Sequence, residues 1–133
     1  MKPAKAVLTN QELEIMKVVW KRGSSTVREV YEELLKRRRI AYTTVMTMMG
    51  TLEQKGRLRK SEQGRAYVYM PVEPQTKVVG SMVQEFVKRV FNGSARPLLV
   101  HLVETMEVDG EQLEEIRSLL KEKKLLKEKR RKR

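Results

Sequence analysis

At 133 residues, with a formal net charge of +12 and no cysteine, the chain has room for one ordinary domain or two small ones and excludes disulfides and thiolate metal sites. An apolar content of 40% is enough for a core, no run of 18 apolar residues is present to cross a membrane, and no charged-then-apolar leader opens the sequence, so a soluble cytoplasmic protein is expected. A single histidine leaves few ways to pair a nucleophile with a base or to build a metal site, so neither an enzyme nor a cofactor or metal is expected, and no small-molecule substrate is identified.

Charge is unevenly distributed. Residues 1–71 carry a net +8, residues 72–120 a net −3 and residues 121–133 a net +7. Positive charge confined to the front and the tail is the footprint of parts that meet a polyanion, with the middle doing something else. The expected boundaries fall at 1–72, 73–120 and 121–133, the last a basic tail.

In chain order, Met1 to Leu8 reads as a loose basic arm. Thr9 with Glu12 makes a capping box that opens a helix. Leu13, Met16 and Trp20 line one face of it, Ile15, Val18 and Val19 make it apolar on more than one side, and Gly23 stops it. Thr26 with Glu29 makes a second box. Val27, Val30, Tyr31 and Leu34 then repeat the i, i+3, i+4, i+7 pattern as far as the basic run Lys36 to Arg39.

The next stretch, AYTTVMTMMGTLEQKG from Ala41 to Gly56, has Val45, Met48, Met49 and Leu52 at the same spacing, so it is a helix with one stripe to bury. Thr43, Thr47, Gly50 and Gln54 point away from that stripe, flanked by Thr44, Met46 and Thr51. None is charged. In a chain this rich in Lys and Glu, hydroxyls, a methyl and a bare glycine backbone suit contact with base edges better than exposure to water. Ala41 is a poor cap, which leaves the leading N–H groups for a phosphate. Two helices joined by a short turn, the second with this face, make a helix-turn-helix.

Leu58 to Glu62 and Arg65 to Met70 alternate about Gln63-Gly64 and are closed by Pro71, which reads as a β-hairpin, a wing. Arg57, Arg59, Lys60 and Arg65 give it a basic edge for the sugar-phosphate backbone, and Arg28 and Tyr42 are placed with them. The fold class is therefore mainly α with a small β-hairpin: an N-terminal winged helix-turn-helix followed by a three-helix region.

After Glu73, Val79, Met82, Val83, Phe86, Val87 and Val90 stripe a helix that Gly93 ends. Asn92-Gly93-Ser94 matches a glycosylation acceptor but reads as a helix-ending loop. A short helix from Ser94, with Pro97 in its first turn, carries Leu98, Leu99, Leu102 and Val103. A third starts at Asp109, boxed by Gln112, and uses Leu113, Ile116 and Leu120. So thin a core favours pairing with a second copy through Val79, Met82, Val83, Phe86, Val90, Leu99, Leu102, Leu113, Ile116 and Leu120. His101 and Glu104 stand one turn apart, and His101 reads as a packed or half-exposed helix histidine rather than a metal ligand.

LTNQELEIMKVVW, TVREVYEEL, AYTTVMTMMGTLEQKG and GRAYVYMPV together resemble the penicillinase-repressor family, strongly from Leu8 to Val72 and by spacing after Glu73. The resemblance implies a dimeric winged-helix repressor on a palindromic operator of TACA/TGTA half-sites, with Thr43, Thr44, Met46 and Thr47 toward the bases. It also implies, for the β-lactam-responsive branch, inactivation by a membrane sensor and a protease that cut an Asn-Phe bond. The matching place here reads His101-Leu102. The copper-responsive branch ends in a cysteine cluster, which this chain lacks. The competing function is a basic adaptor that binds RNA or an anionic membrane surface through its tail; the tail itself reads as a solvated, mostly disordered run, with supplementary phosphate contacts or lipid as the alternatives.

Overall fold

The computed structural model describes residues 7–131, so residues 1–6 of the expected arm and 132–133 of the tail lie outside the described residues. Three helices come first: α1 (Asn10–Arg22), α2 (Val27–Leu35) and α3 (Tyr42–Gln54). Both expected capping boxes form. The Thr9 hydroxyl accepts from the Glu12 N–H at 3.1 Å while the Glu12 carboxylate accepts from the Thr9 N–H at 2.9 Å, and Thr26 with Glu29 repeats the same two distances. Each satisfies two donors that a helix start otherwise leaves open. Gly23 ends α1 at φ 85°, a conformation only glycine adopts without strain. The second helix stops at Leu35, short of the basic run, and Lys36 becomes its C-cap.

A hairpin follows, β1 (Leu58–Gln63) antiparallel to β2 (Ala66–Pro71). Its turn falls at Gly64-Arg65 rather than Gln63-Gly64, because Gln63 pairs with Ala66 and Gly64 supplies the positive φ (65°) at the first turn position. An isolated bridge stitches the wing to the α1–α2 link: Ser25 N–H to the Tyr69 carbonyl at 2.9 Å and Tyr69 N–H to the Ser25 carbonyl at 2.8 Å.

The chain divides into two compact units between Glu85 and Phe86. In the first, Ile15, Val19, Val30, Leu34, Val45, Met49 and Leu52 are completely buried, and Leu58 and Tyr69 close the core from the hairpin. Each such side chain contributes about 1.5–3 kcal/mol. Leu8 belongs to this core, not to a loose arm. The unit also reaches past the expected boundary at residue 72, because Val78, near the start of α4 (Gln75–Phe91), is buried in it and Met82 packs against it. Met82 therefore faces the core and not the free stripe. Trp20 adds a tie, donating its Nε1–H to the Glu73 carbonyl at 3.0 Å.

The second unit holds the end of α4, α5 (Arg96–Thr105) and α6 (Gly110–Arg131). Asn92 (φ 53°) and Gly93 (φ 86°) end α4, with the Gly93 N–H reaching back to the Val87 carbonyl at 3.1 Å. Ala95 rather than Ser94 sits at the N-cap of α5, without a side-chain bond. Asp109 and Gln112 form the box expected for α6, which continues as helix through Arg131 where a disordered tail was expected. No residue of α5 or α6 is buried. Among the described residues no helix is long and apolar enough to cross a membrane.

One polar contact ties the first unit together. Glu12, 4% exposed, accepts from the Lys55 ammonium at 2.8 Å, so the start of α1 holds the end of α3. Burial pushes the Glu12 carboxyl up, but the Lys55 ammonium and the Thr9 N–H and hydroxyl outweigh it and leave its pKa below the usual value. A carboxyl depressed in the folded state stabilises the fold above its unfolded pKa, and the contribution is lost as pH falls through the folded value. Glu12→Gln should therefore cost about 1–3 kcal/mol at pH 7, with the gap to the unaltered chain closing below about pH 4. Urea unfolding of both chains at pH 7 and at acid pH checks this; a gap unchanged by pH would refute the role.

Candidate nucleic-acid interface

With Val45, Met49 and Leu52 held in the core, the opposite side of α3 faces outward. Thr43, Thr44, Met46 and Thr47 are all exposed there, as the sequence predicts. Thr51, on the same flank as Thr44, is spoken for, since its hydroxyl donates to the Thr47 carbonyl at 3.1 Å. The hydroxyls of Thr43, Thr44 and Thr47 have no partner among the described residues and are available to an incoming acceptor or donor. Ala41 is the N-cap and makes no side-chain bond, so the first N–H groups of α3 stay open.

Two hollows flank the crest. On the wing side a groove of about 760 Å³ is lined by Arg28, Tyr42, Met46, Gly50, Lys60, Arg65 and Tyr67, among others. On the α1 side a shallower one is lined by Gln11, Thr43, Thr44, Thr47 and Met48. The four residues expected to face bases thus split, Met46 toward the wing and the threonines toward α1. The charges lie beside the crest and not on it.

Aromatic rings position two of those charges. The Arg28 guanidinium lies 5.4 Å from the centre of the Tyr42 ring, and Tyr31 meets the same ring edge-on at 5.4 Å. The Lys60 ammonium stands 4.5 Å over Tyr67 and 3.6 Å from Glu53. Arg65, at the turn, shares the groove.

The hairpin does not present the remaining arginines in the same way. Strand alternation puts Leu58, Lys60 and Glu62 on one face with Tyr69 and Tyr67, and Arg59 on the other. Arg57 is half-buried at the link from α3. The expected basic edge is therefore split, with Lys60 and Arg65 brought to the groove and Arg57 and Arg59 elsewhere. Gln11 and Tyr67 were missed by sequence reasoning. Tyr67 was findable, since Tyr69 is the inward residue of β2 and period two places Tyr67 on the same face.

In the second unit, Phe86, Val90, Leu99, Leu113, Ile116 and Leu120 are exposed, Leu102 is half-buried, and His101 is exposed beside Phe91, with ring centres 6.3 Å apart. Val79 and Val83, on the stretch of α4 within the first unit, are exposed too. Among the described residues no group of three or more His, Cys, Asp or Glu could hold a metal ion.

A helix-turn-helix with an uncharged outward crest, a two-stranded wing and ring-supported cations beside the groove defines a winged-helix DNA-binding regulator of transcription. The family model described as penicillinase repressor matches residues 8–122. The chain belongs to this family of DNA-binding repressors. It is 32% identical over 117 residues to the penicillinase repressor of Bacillus licheniformis, covering 88% of this chain and 91% of that one. It is 38% identical over 104 residues to the transcriptional regulator BlaI of Mycobacterium tuberculosis, covering 77% and 75%. The solution structure of the DNA-binding domain of the repressor BlaI superposes with a TM-score of 0.50 at 37% identity, over 57% of this chain and 92% of that one.

If the Tyr42 ring holds Arg28, the two side chains are energetically coupled. A double-mutant cycle of Arg28→Gln and Tyr42→Leu, read by urea unfolding, should give a coupling of about 0.5–1 kcal/mol. Strict additivity would remove the ring from its positioning role.

Proposed function

We propose that the chain represses transcription as a homodimer on a palindromic operator, with α3 of each copy in the major groove and the wing on the flanking backbone. The observation that carries the reading is the exposed, uncharged crest of Thr43, Thr44, Met46 and Thr47 with Arg28, Lys60 and Arg65 beside it. Hydroxyls and a thioether discriminate base edges and the thymine methyl, whereas cations bind every sequence alike. By the family resemblance the half-sites are of the TACA/TGTA type.

Two copies follow from arithmetic. One winged module makes few base contacts, while operator affinities of about 10⁻⁸ M or tighter usually draw on two half-sites. Support comes from the open apolar faces of the second unit, with Phe86 at 40% and Val90 at 49% exposed. Large uncovered apolar patches mark an interaction surface.

Two measurements test this. Thr47→Ala should weaken binding to the preferred duplex by about 1–3 kcal/mol and change binding to random DNA little; equal losses on both would remove Thr47 from base reading. Phe86→Asp should sediment as a monomer with the first unit still folded and lose the two-fold duplex, and an unchanged dimer mass would refute the pairing surface.

Release by a single cut, as the resemblance implies for a membrane sensor and its protease, meets an obstacle. The His101–Leu102 bond lies inside α5, so a protease reaches it only when that helix opens. A pocket shaped for Asn-Phe also loses a polar and a ring contact there. Co-expression with an activated β-lactam sensor of the family should leave the chain intact by mass spectrometry, and a fragment ending at His101 would overturn the expectation.

A further inference from the structure

The C-terminal half of α6 carries a charged surface that the winged-helix site does not use. From Lys121 to Arg131 it bears seven cations, Lys121, Lys123, Lys124, Lys127, Lys129, Arg130 and Arg131, against Glu122 and Glu128, and all are exposed. The family match ends at residue 122, so most of this segment lies beyond what the family model describes.

Among the described residues these cations are not paired, whereas several cations of the first unit are. There, Lys36, Arg38, Lys55 and Lys60 lie 3.2, 2.7, 2.8 and 3.6 Å from a carboxylate. On α6 the one ion pair among the described residues is Arg117 with Glu114, before the cluster begins. The seven have no carboxylate within ion-pair distance among the described residues. Lys123 with Lys127, and Lys127 with Arg131, are like charges one turn apart, which disfavours the helix unless an anion screens them.

Helical phase adds a second observation. At about 100° per residue, Lys123 and Lys127 continue the row of Leu113, Ile116 and Leu120, and Lys124, Arg130 and Arg131 fall within about 70° of it. The face that is apolar before Lys121 is cationic after it. If two copies pair through the leucines, pairing ends where lysine would meet lysine, and the cationic ends stay free for another partner. At 1.5 Å per residue this end of α6 spans about 16 Å, over which duplex DNA carries about nine phosphates. The segment's net charge of +5 is enough to engage several of them.

We infer that the end of α6, Lys121–Arg131, is a phosphate-binding arm that grips the backbone of the same duplex the winged helix reads, without regard to sequence. The inference rests on the DNA-binding reading above. Such an arm raises affinity for operator and random DNA by the same factor and steepens the dependence on salt.

The test is the full chain with Lys123→Gln, Lys127→Gln, Arg130→Gln and Arg131→Gln, glutamine being a good helix former, with helix content checked by circular dichroism. Across 50–200 mM salt, the slope of log affinity against log salt should become shallower by about 2 or more, at about 0.9 per phosphate lost. The ratio of operator to random affinity should stay fixed, and Lys123→Arg with Lys127→Arg should keep the original slope. A slope equal to that of the unaltered chain overturns the arm. Flotation with phosphatidylserine vesicles gives the other arm of the test: vesicle binding lost in the quadruple variant, with the DNA slope unchanged, moves the surface to a membrane and also overturns the inference. Absence of any operator preference in the unaltered chain would instead strike the winged-helix reading, with the slope comparison still deciding the arm.

Discussion

Everything in the first unit depends on α3 burying Val45, Met49 and Leu52 to zero exposure. A helix held on one side by three contacts at i, i+4 and i+7 has no rotational freedom left, so the residues opposite are fixed in direction before any ligand arrives. The crest of Thr43, Thr44 and Thr47 is thus a consequence of packing and not of its own chemistry. The two capping boxes contribute by fixing where α1 and α2 begin, and the bond from Glu12 to Lys55 ties the beginning of α1 to the end of α3. Register along the chain becomes orientation at the surface.

The division of labour at that surface is electrostatic. Several cations of the first unit are committed: Arg22 to Glu29, Arg38 to Glu14, Lys55 to Glu12. Exposed pairs of this kind add little to stability, so their effect is better seen as neutralising charge away from the crest. Two of the three cations at the groove, Arg28 and Lys60, are steadied by rings. An aromatic ring holds a cation in place without cancelling its charge, whereas a carboxylate holds it and cancels it. Lys60 does both, through Tyr67 and Glu53, and Arg28 also has Glu32 at 3.9 Å.

How much was legible in the sequence follows the range of the interactions involved. Capping boxes, apolar periodicity and turn glycines act over a few residues, and from them the helices, the hairpin and the outward Thr43, Thr44 and Thr47 were all readable. What was missed depends on contacts distant in sequence. Val78 and Met82 have the spacing of the free stripe on α4, yet they complete the core built by the first three helices, and no local pattern distinguishes the two uses. Leu8 was assigned to an arm because a single apolar residue before a cap carries no period. The split of Arg59 from Lys60 was available from strand alternation alone, since neighbouring residues of a strand point to opposite faces wherever the turn falls.

The second unit shows the opposite regime. Its helices are cut by local signals, Asn92 and Gly93 at one end and the Asp109–Gln112 box at another, but no residue of α5 or α6 is fully buried. An isolated helix as short as α5 is marginal in water, and most helical stability in proteins comes from packing an amphipathic face. If a second copy supplies that packing, folding of the unit and association of the copies share one free energy, and the helical content of the unit depends on protein concentration. A regulator built this way has a sensitive point separate from its DNA-reading surface. Anything that loosens α5 or α6 weakens the pairing, and losing the second half-site costs more than any single contact at the crest, because two linked modules bind far more tightly than either alone.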